Sequence, residues 1–204
     1  MTIDQIANRL ALPRTTVYGW VRELPVVPVR DPARATRAQR AGTRAMQAKY
    51  QRIREDAYRE GLATFAERCA DPTFRDFLSL YLGEGSKRCR NDVALCNSDP
   101  RIVCLADRWI RRLSDRRPRY ALQYHADQDV EALRVFWGRA LGIPPGRISL
   151  QRKSNSGQLS HRAWRSRYGV LTVGVGDTRL RACLQGWLDA LQASWALDSL
   201  TAGA

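Results

Sequence analysis

The chain is short of acid. Its 20 Asp plus Glu stand against 34 Lys plus Arg, leaving a formal net charge of +14 over 204 residues. Histidine is scarcer still, with two copies, and the five cysteines include no CxxC pair. That argues against a zinc site and against a disulfide framework, and leaves reduced thiols as the reading. No stretch approaches the roughly 18 consecutive apolar residues that a membrane span needs, and the first residues lack the apolar run of a secretory signal. The expectation is a cytoplasmic chain with no membrane partner. No internal repeat is present. What the chain does have is 44% hydrophobic residues, enough for a buried core at this length, so wholesale disorder is excluded. It also has far more Arg than Lys. Arg forks match phosphate oxygens bidentately, so the charge surplus points to nucleic acid as the partner.

Composition divides the chain into residues 1–25, a Pro- then Arg-rich stretch over 26–70, a mixed domain over 71–196 and a tail, 197–204. The opening segment carries two short helical patterns. Ile3, Ile6, Ala7 and Leu10 share one face, and Val17, Trp20, Val21 and Leu24 share the other. Thr2 and Gln5 form a capping-box pattern, and Pro13 suits a helix start while forbidding continuation of the preceding helix. This spacing resembles a helix-turn-helix, in which the second helix offers its first residues to base edges in the major groove. Arg14, Thr15, Thr16 and Tyr18 are then the candidate contacts, an ordinary helical hairpin being the alternative. Pro25, Pro28 and Pro32 break helix beyond it. Arg34, Arg37, Arg40 and Arg44 recur at three or four, so a helix would align them in one stripe. Such a stripe either lies along a phosphate backbone or is simply a solvated face.

From Asp71 the pattern is that of an α/β (α+β) domain. Asp71, Pro72 and Gly85 bracket a helix with Phe74, Phe77, Leu78 and Tyr81 on its apolar side. A hairpin is expected over residues 87–98, then a helix from Asp99 and Pro100, a strand over 120–125, a helix over about 128–141, strands over 147–153 and 168–175, and a last helix over 178–195. Strand parity separates Tyr120, Leu122 and Tyr124 from Gln123 and His125, Ile148 and Leu150 from Ser149, Gln151 and Lys153, and Cys89 from Arg88 and Arg90. The polar sets form a candidate basic sheet surface, with Gln and Arg suited to base edges. Between Arg147 and Gly176 there is no acid, and Arg152, Lys153, Arg162, Arg165 and Arg167 join the candidate DNA contacts. His125 and His161 have no ligand spacing, and the tryptophans sit mostly at core positions of helices.

The run FLSLYLGEG from Phe77 to Gly85, followed by a hairpin, NSDP and a long helix, resembles the LAGLIDADG family, best known as homing endonucleases. Ser79 stands at the small third position, Leu80 at the apolar fourth, Gly83 at the small seventh, and Glu84 at the acid. Glu in place of the commoner Asp and Ser79 in place of Gly depart from the family pattern. The resemblance covers residues 71–196 and implies an αββαββα domain with one inserted helix, preceded here by a small all-α helix-turn-helix and a basic helical linker. One motif copy implies a homodimer packed through Phe77, Ser79, Leu80 and Gly83, since small residues four apart let helices approach closely. The two Glu84 carboxylates would then meet. At about 4 Å and an effective dielectric of about 20 they repel by roughly 4 kcal/mol, a cost that a divalent metal relieves.

Oxygen ligands suit Mg²⁺, and the resemblance implies metal ligation by Glu84 and by Gly83 at the motif's end. It further implies hydrolysis of DNA phosphodiesters by a Mg²⁺-dependent endonuclease, with Lys153 as a basic residue beside the scissile phosphate. No small-molecule cofactor is expected, and a DNA-bound protein would be found with the nucleoid. Sporulation regulators that carry a degenerate LAGLIDADG domain beside a helix-turn-helix supply the alternative, a DNA-binding regulator without nuclease activity. Intron maturases of the same fold supply a lower-ranked RNA reading, because a helix-turn-helix suits B-form grooves better.

Overall fold

Aspartates set the starts of three helices. Asp71, Asp99 and Asp129 each accept a hydrogen bond from a backbone N–H just inside the helix, at Thr73, Arg101 and Ala132. This satisfies donors that a helix cannot pair internally. The protein is described here by a computed structural model covering residues 3–22, 24, 37–153 and 166–201. It divides into two compact units, 1–44 and 45–204.

In the first unit, α1 (Ile3–Leu10) and α2 (Arg14–Val21) are joined by a tight turn. Ala11 takes a left-handed φ of 52° there, and the Leu12 N–H donates to the Ala7 carbonyl at 3.0 Å. Ala7 and Val17 are buried, whereas Leu10, Trp20 and Leu24, all expected on apolar faces, are exposed. Two eight-residue helices meet over a narrow contact that covers only the side chains nearest the crossing. Pro25, Pro28, Pro32 and Thr2 lie outside the described residues.

Helix α3 (Arg37–Arg68) runs through the unit boundary. The second unit continues with α4 (Pro72–Glu84), β1 (Val93–Asn97), α5 (Pro100–Leu113), β2 (Arg119–Tyr124), α6 (Val130–Leu141), β3 (Ile148–Arg152), β4 (Val170–Val175) and α7 (Thr178–Thr201). The sheet order is β1-β4-β2-β3. β4 pairs antiparallel with both β1 and β2, while β2 and β3 run parallel around the crossover helix α6. The class is α+β with a mixed sheet.

Registers Leu95↔Val173, Tyr120↔Val173 and Tyr120↔Ile148 put one set of side chains on a common face. That face is the core, closed by residues of α4, α5, α6 and α7. Phe74 anchors it, its ring 4.9 Å from Trp109 of α5 and 5.2 Å, edge-on, from Trp187 of α7. Such pairs add roughly 0.5–1.5 kcal/mol each beyond their burial. Inside the same layer Asp107, 5% exposed, accepts from the Tyr120 hydroxyl at 2.6 Å and from Arg111 at 2.8 Å.

Three expectations need correction. The hairpin strand over 87–90 is absent: Gly85 forms a single bridge to Leu95, and Ser86 donates to the Ala94 carbonyl. Lys87, Arg88 and Arg90 have no apolar side to bury, and Lys87 instead turns back to the Leu82 carbonyl. The last helix continues to Thr201, so residues 197–201 are no loose tail.

Most consequential, the Arg-rich helix is not a linker throughout, because residues 45–68 belong to the domain. A Cβ on Gly61 would stand 2.2 Å from the Cys183 carbonyl oxygen, and one on Gly186 would stand 2.4 Å from the Tyr58 carbonyl oxygen. Glycine is what lets α3 and α7 touch backbone to backbone. Around the contact, Tyr58 donates to Asp189 at 2.9 Å, Trp187 donates to Thr64 at 3.0 Å, and Arg179 pairs with Glu60.

Gly61→Val forces the two backbones apart and lowers stability by about 1–3 kcal/mol, read as a shifted urea midpoint. An unchanged midpoint would mean that the helices separate freely. Burial, and then the bond to Asp107, push the Tyr120 phenol from 10.0 up to about 12. The folded state favours the neutral phenol, so this contribution is complete below about pH 10 and is lost as pH rises towards 12. An ultraviolet titration should show one tyrosine ionising near pH 12, and Tyr120→Phe should remove that step.

Candidate nucleic-acid interface

A sheet covered on one side leaves the alternate residues of every strand for the other. The registers arrange them in three rows. Ala94, Gly174 and Arg119 form the first, Cys96, Thr172, Ala121 and Ser149 the second, and Val170, Gln123 and Gln151 the third. None of these residues belongs to the core cluster. The middle row holds nothing larger than Thr, which makes a shallow trough. At one end Gln123 and Gln151 are direct neighbours on parallel strands. At the other, Arg119 reaches across β4 to form an ion pair with Asp92, just ahead of β1. Gly174 lies between them, where a Cβ would come within 2.8 Å of the Ala94 Cβ. Paired amides at one end of such a face can read base edges, and a guanidinium at the other can hold phosphate.

The nominated residues divide. Ser149, Gln151 and Lys153 are exposed and Gln123 is half-buried, so the parity reading holds for these strands. His125 does not join them. It is 7% exposed, in a turn closed by Gln128, whose side chain accepts the His125 N–H and donates to the Ser166 and Arg167 carbonyls. Arg152 is exposed but lies on the opposite side of β3 from Gln151. Arg88 and Arg90 are exposed in the loop before β1, where strand parity has no meaning. Arg167 is exposed, with its guanidinium 5.5 Å from the Tyr168 ring centre, beside a shallow groove shared with Ser98 and Arg101. Arg34, Arg162, Arg165 and His161 lie outside the described residues.

In the first unit Arg14, Thr15 and Tyr18 are exposed and Thr16 is half-buried. Arg14 makes an exposed ion pair with Asp4 at 3.3 Å, an interaction weak enough to exchange for phosphate. Arg40 and Arg44 stand in the run 39–50, every residue of which is exposed and none of which is acidic. Arg37 lies in the first turn of α3.

The motif helix shows two faces. Phe77 is 1% exposed and packs inside the core, 6.2 Å from the Tyr81 ring and 6.5 Å from Trp109, so it is not an interface residue. Ser79 and Gly83 are exposed and Leu80 is half-buried. The two motif glycines differ in their reasons. A Cβ on Gly85 would strike the Tyr81 carbonyl oxygen at 2.4 Å and its ring at 2.6 Å, while one on Gly83 would meet nothing within 4 Å. Gly85 serves the turn at the end of α4. A side chain at Gly83 would meet none of the described residues.

Glu84 ends α4 and is exposed. Among the described residues no group of three or more His, Cys, Asp or Glu is gathered to hold a metal. One chain offers one carboxylate here, which does not complete a Mg²⁺ site by itself. Sequence reasoning missed the Arg119–Asp92 pair and the Gly174 beneath it. Only the strand order reveals them.

No protein-family model matches the chain, and neither a curated protein nor a solved structure matches it. Among the described residues no helix is long and apolar enough to cross a membrane.

Proposed function

We propose that the chain is a double-stranded DNA-binding protein that works as a homodimer, with endonuclease activity of the LAGLIDADG type. The observation that carries this reading is the sheet face left open on the side away from α4, with Gln123, Ser149 and Gln151 on it, in a chain of formal net charge +14. The exposed Ser79 and Gly83 supply the surface for a second copy of α4. Two-fold packing there brings Glu84 of each copy together at one end of the open faces. With two carboxylates and the Gly83 carbonyls the donor set consists of hard oxygens suited to Mg²⁺. A divalent cation held there supplies an activated water and charge stabilisation for phosphodiester hydrolysis. Lys153, exposed just beyond β3, adds positive charge at the phosphate. Arg14, Thr15 and Tyr18 add contacts in a major groove, and Arg40 and Arg44 neutralise phosphates.

The element order departs from αββαββα. Among the described residues one strand precedes α5 and three follow it, of which β2 and β3 are parallel on either side of α6 in the chain. Base contacts are therefore assigned from the open face itself and not strand by strand from the family. A second reading has its own support: a single chain gathers no three-ligand metal group among the described residues. In that reading the protein is a DNA-binding regulator without nuclease activity.

Purified protein incubated with a fragmented genomic DNA pool in Mg²⁺, with end sequencing, separates the readings. Recurrent cuts are expected from the wild type, reduced roughly 100-fold or more in Glu84→Gln. Protected but uncut fragments from both proteins would establish the regulator, and no protection from either would remove the DNA reading. Gly83→Leu is expected to halve the mass measured by light scattering while leaving the helix content measured by circular dichroism unchanged. A wild-type monomer, or a variant that keeps the dimer, would remove α4 from the interface.

A further inference from the structure

A cavity of about 300 Å³ opens in the second unit between α3, α7 and the loop before β1. Arg54, Glu55, Tyr58, Arg90, Arg181 and Gln185 line it. Arg181 is the unusual member. It is 8% exposed, its Nη1 donates to the Gln185 amide oxygen at 3.1 Å, and its Nε is buried with no hydrogen-bond partner. No carboxylate pairs with it among the described residues. A buried cation left like this costs several kcal/mol unless an anion meets it. Arg54 and Arg90 also make no ion pair with the described residues.

The acids nearby do not cancel these charges. Glu55 is exposed and accepts from Gln51 at 2.9 Å. Asp189 is occupied by Tyr58 at 2.9 Å and by the Gln185 amide at 2.8 Å. Three guanidinium groups against two carboxylates leave the cavity positive. Its volume sits at the lower end of the range for small-ligand pockets.

We infer that this cavity is an anion site for a phosphate group, with Arg181 at its floor and Arg54 and Arg90 at its sides. Planar guanidinium forks match phosphate oxygens, and the Gln185 amide, itself held by Asp189, fixes one arm of the Arg181 guanidinium at the cavity lining. The site lies in the helical layer, whereas Gln123, Ser149 and Gln151 occupy the opposite face of the sheet. It is separate from the proposed DNA surface and does not depend on it. The phosphate could come from a free phosphate ester or from a nucleic-acid backbone, and the chemistry of recognition is the same.

The test is calorimetric titration of the full chain with inorganic phosphate, beside thermal unfolding in phosphate and in chloride at matched ionic strength. Saturating phosphate is expected to raise the wild-type midpoint by about 3 °C or more. Arg181→Met removes the charge at similar length, and should abolish both the heat and the shift without lowering the midpoint in chloride. Arg54→Ser with Arg90→Ser, at the cavity sides, should weaken phosphate binding about tenfold or more and guards against a folding defect in the first variant.

A duplex titrated against the phosphate complex separates the sources. Competition, with duplex binding weakened in Arg181→Met, assigns the site to a nucleic-acid phosphate, and independence assigns it to a free ester. A wild type without a phosphate-specific shift overturns the inference. So does an Arg181→Met variant that folds and keeps the heat.

Discussion

A sheet of four short strands that is covered on one side must build its whole core from that side. Phe74, Trp109 and Trp187 meet across α4, α5 and α7 because three helices must be tied to one layer of Val, Leu, Ile and Tyr. The other side is then free of packing duty. It carries Cys, Thr, Ala and Ser in its middle row, two amides at one end and a guanidinium at the other, a distribution that could not survive if both faces were buried. The make-up of the open face is therefore a by-product of where the aromatic residues are.

Polar groups inside the helical layer are organised with the same economy. Asp107 holds Tyr120 and Arg111, Asp189 holds Tyr58 and Gln185, and the α3 contact with α7 is backbone on backbone. Asp107 ties α5 to β2, the next element along the chain, and Asp189 ties α7 to α3. Arg181 meets the Asp189 network only through the neutral Gln185 amide, and no aspartate pairs with its charge among the described residues.

Much of this was written locally. Asp-Pro starts, the Gly142 stop at φ 62° and the apolar faces of α4, α5, α6 and α7 depend on residues within one or two turns, so they are read correctly from the chain alone. Pairing is different. Nothing in VALC or VLTVGV names its neighbour, so the order β1-β4-β2-β3 and the parallel β2–β3 pair come only from the structure. The domain's hold on α3 was hidden for another reason. Gly61 and Gly186 pack by lacking side chains, and a missing side chain adds nothing to a hydrophobic pattern. The spacing of Ala57 and Gly61, small residues four apart in a helix, was the available signal. His125 was misplaced because alternation was carried one residue past the end of β2, into a turn. Phe77 was assigned outward on the motif's pattern, against an apolar periodicity that already placed it inward.

One of the two inner strands of the sheet, β4, is the last of the four along the chain. β1 can pair only with β4, so Val93 waits for Val175, and β2 likewise gains its antiparallel neighbour only when β4 arrives. During synthesis the β1 edge and the aromatic side of α4 are therefore exposed while some eighty further residues are made. The basic loop from Lys87 to Arg90, which contributes no strand, then has a use of its own: charge beside an unpaired apolar edge discourages two nascent chains from joining there before each can close its own sheet.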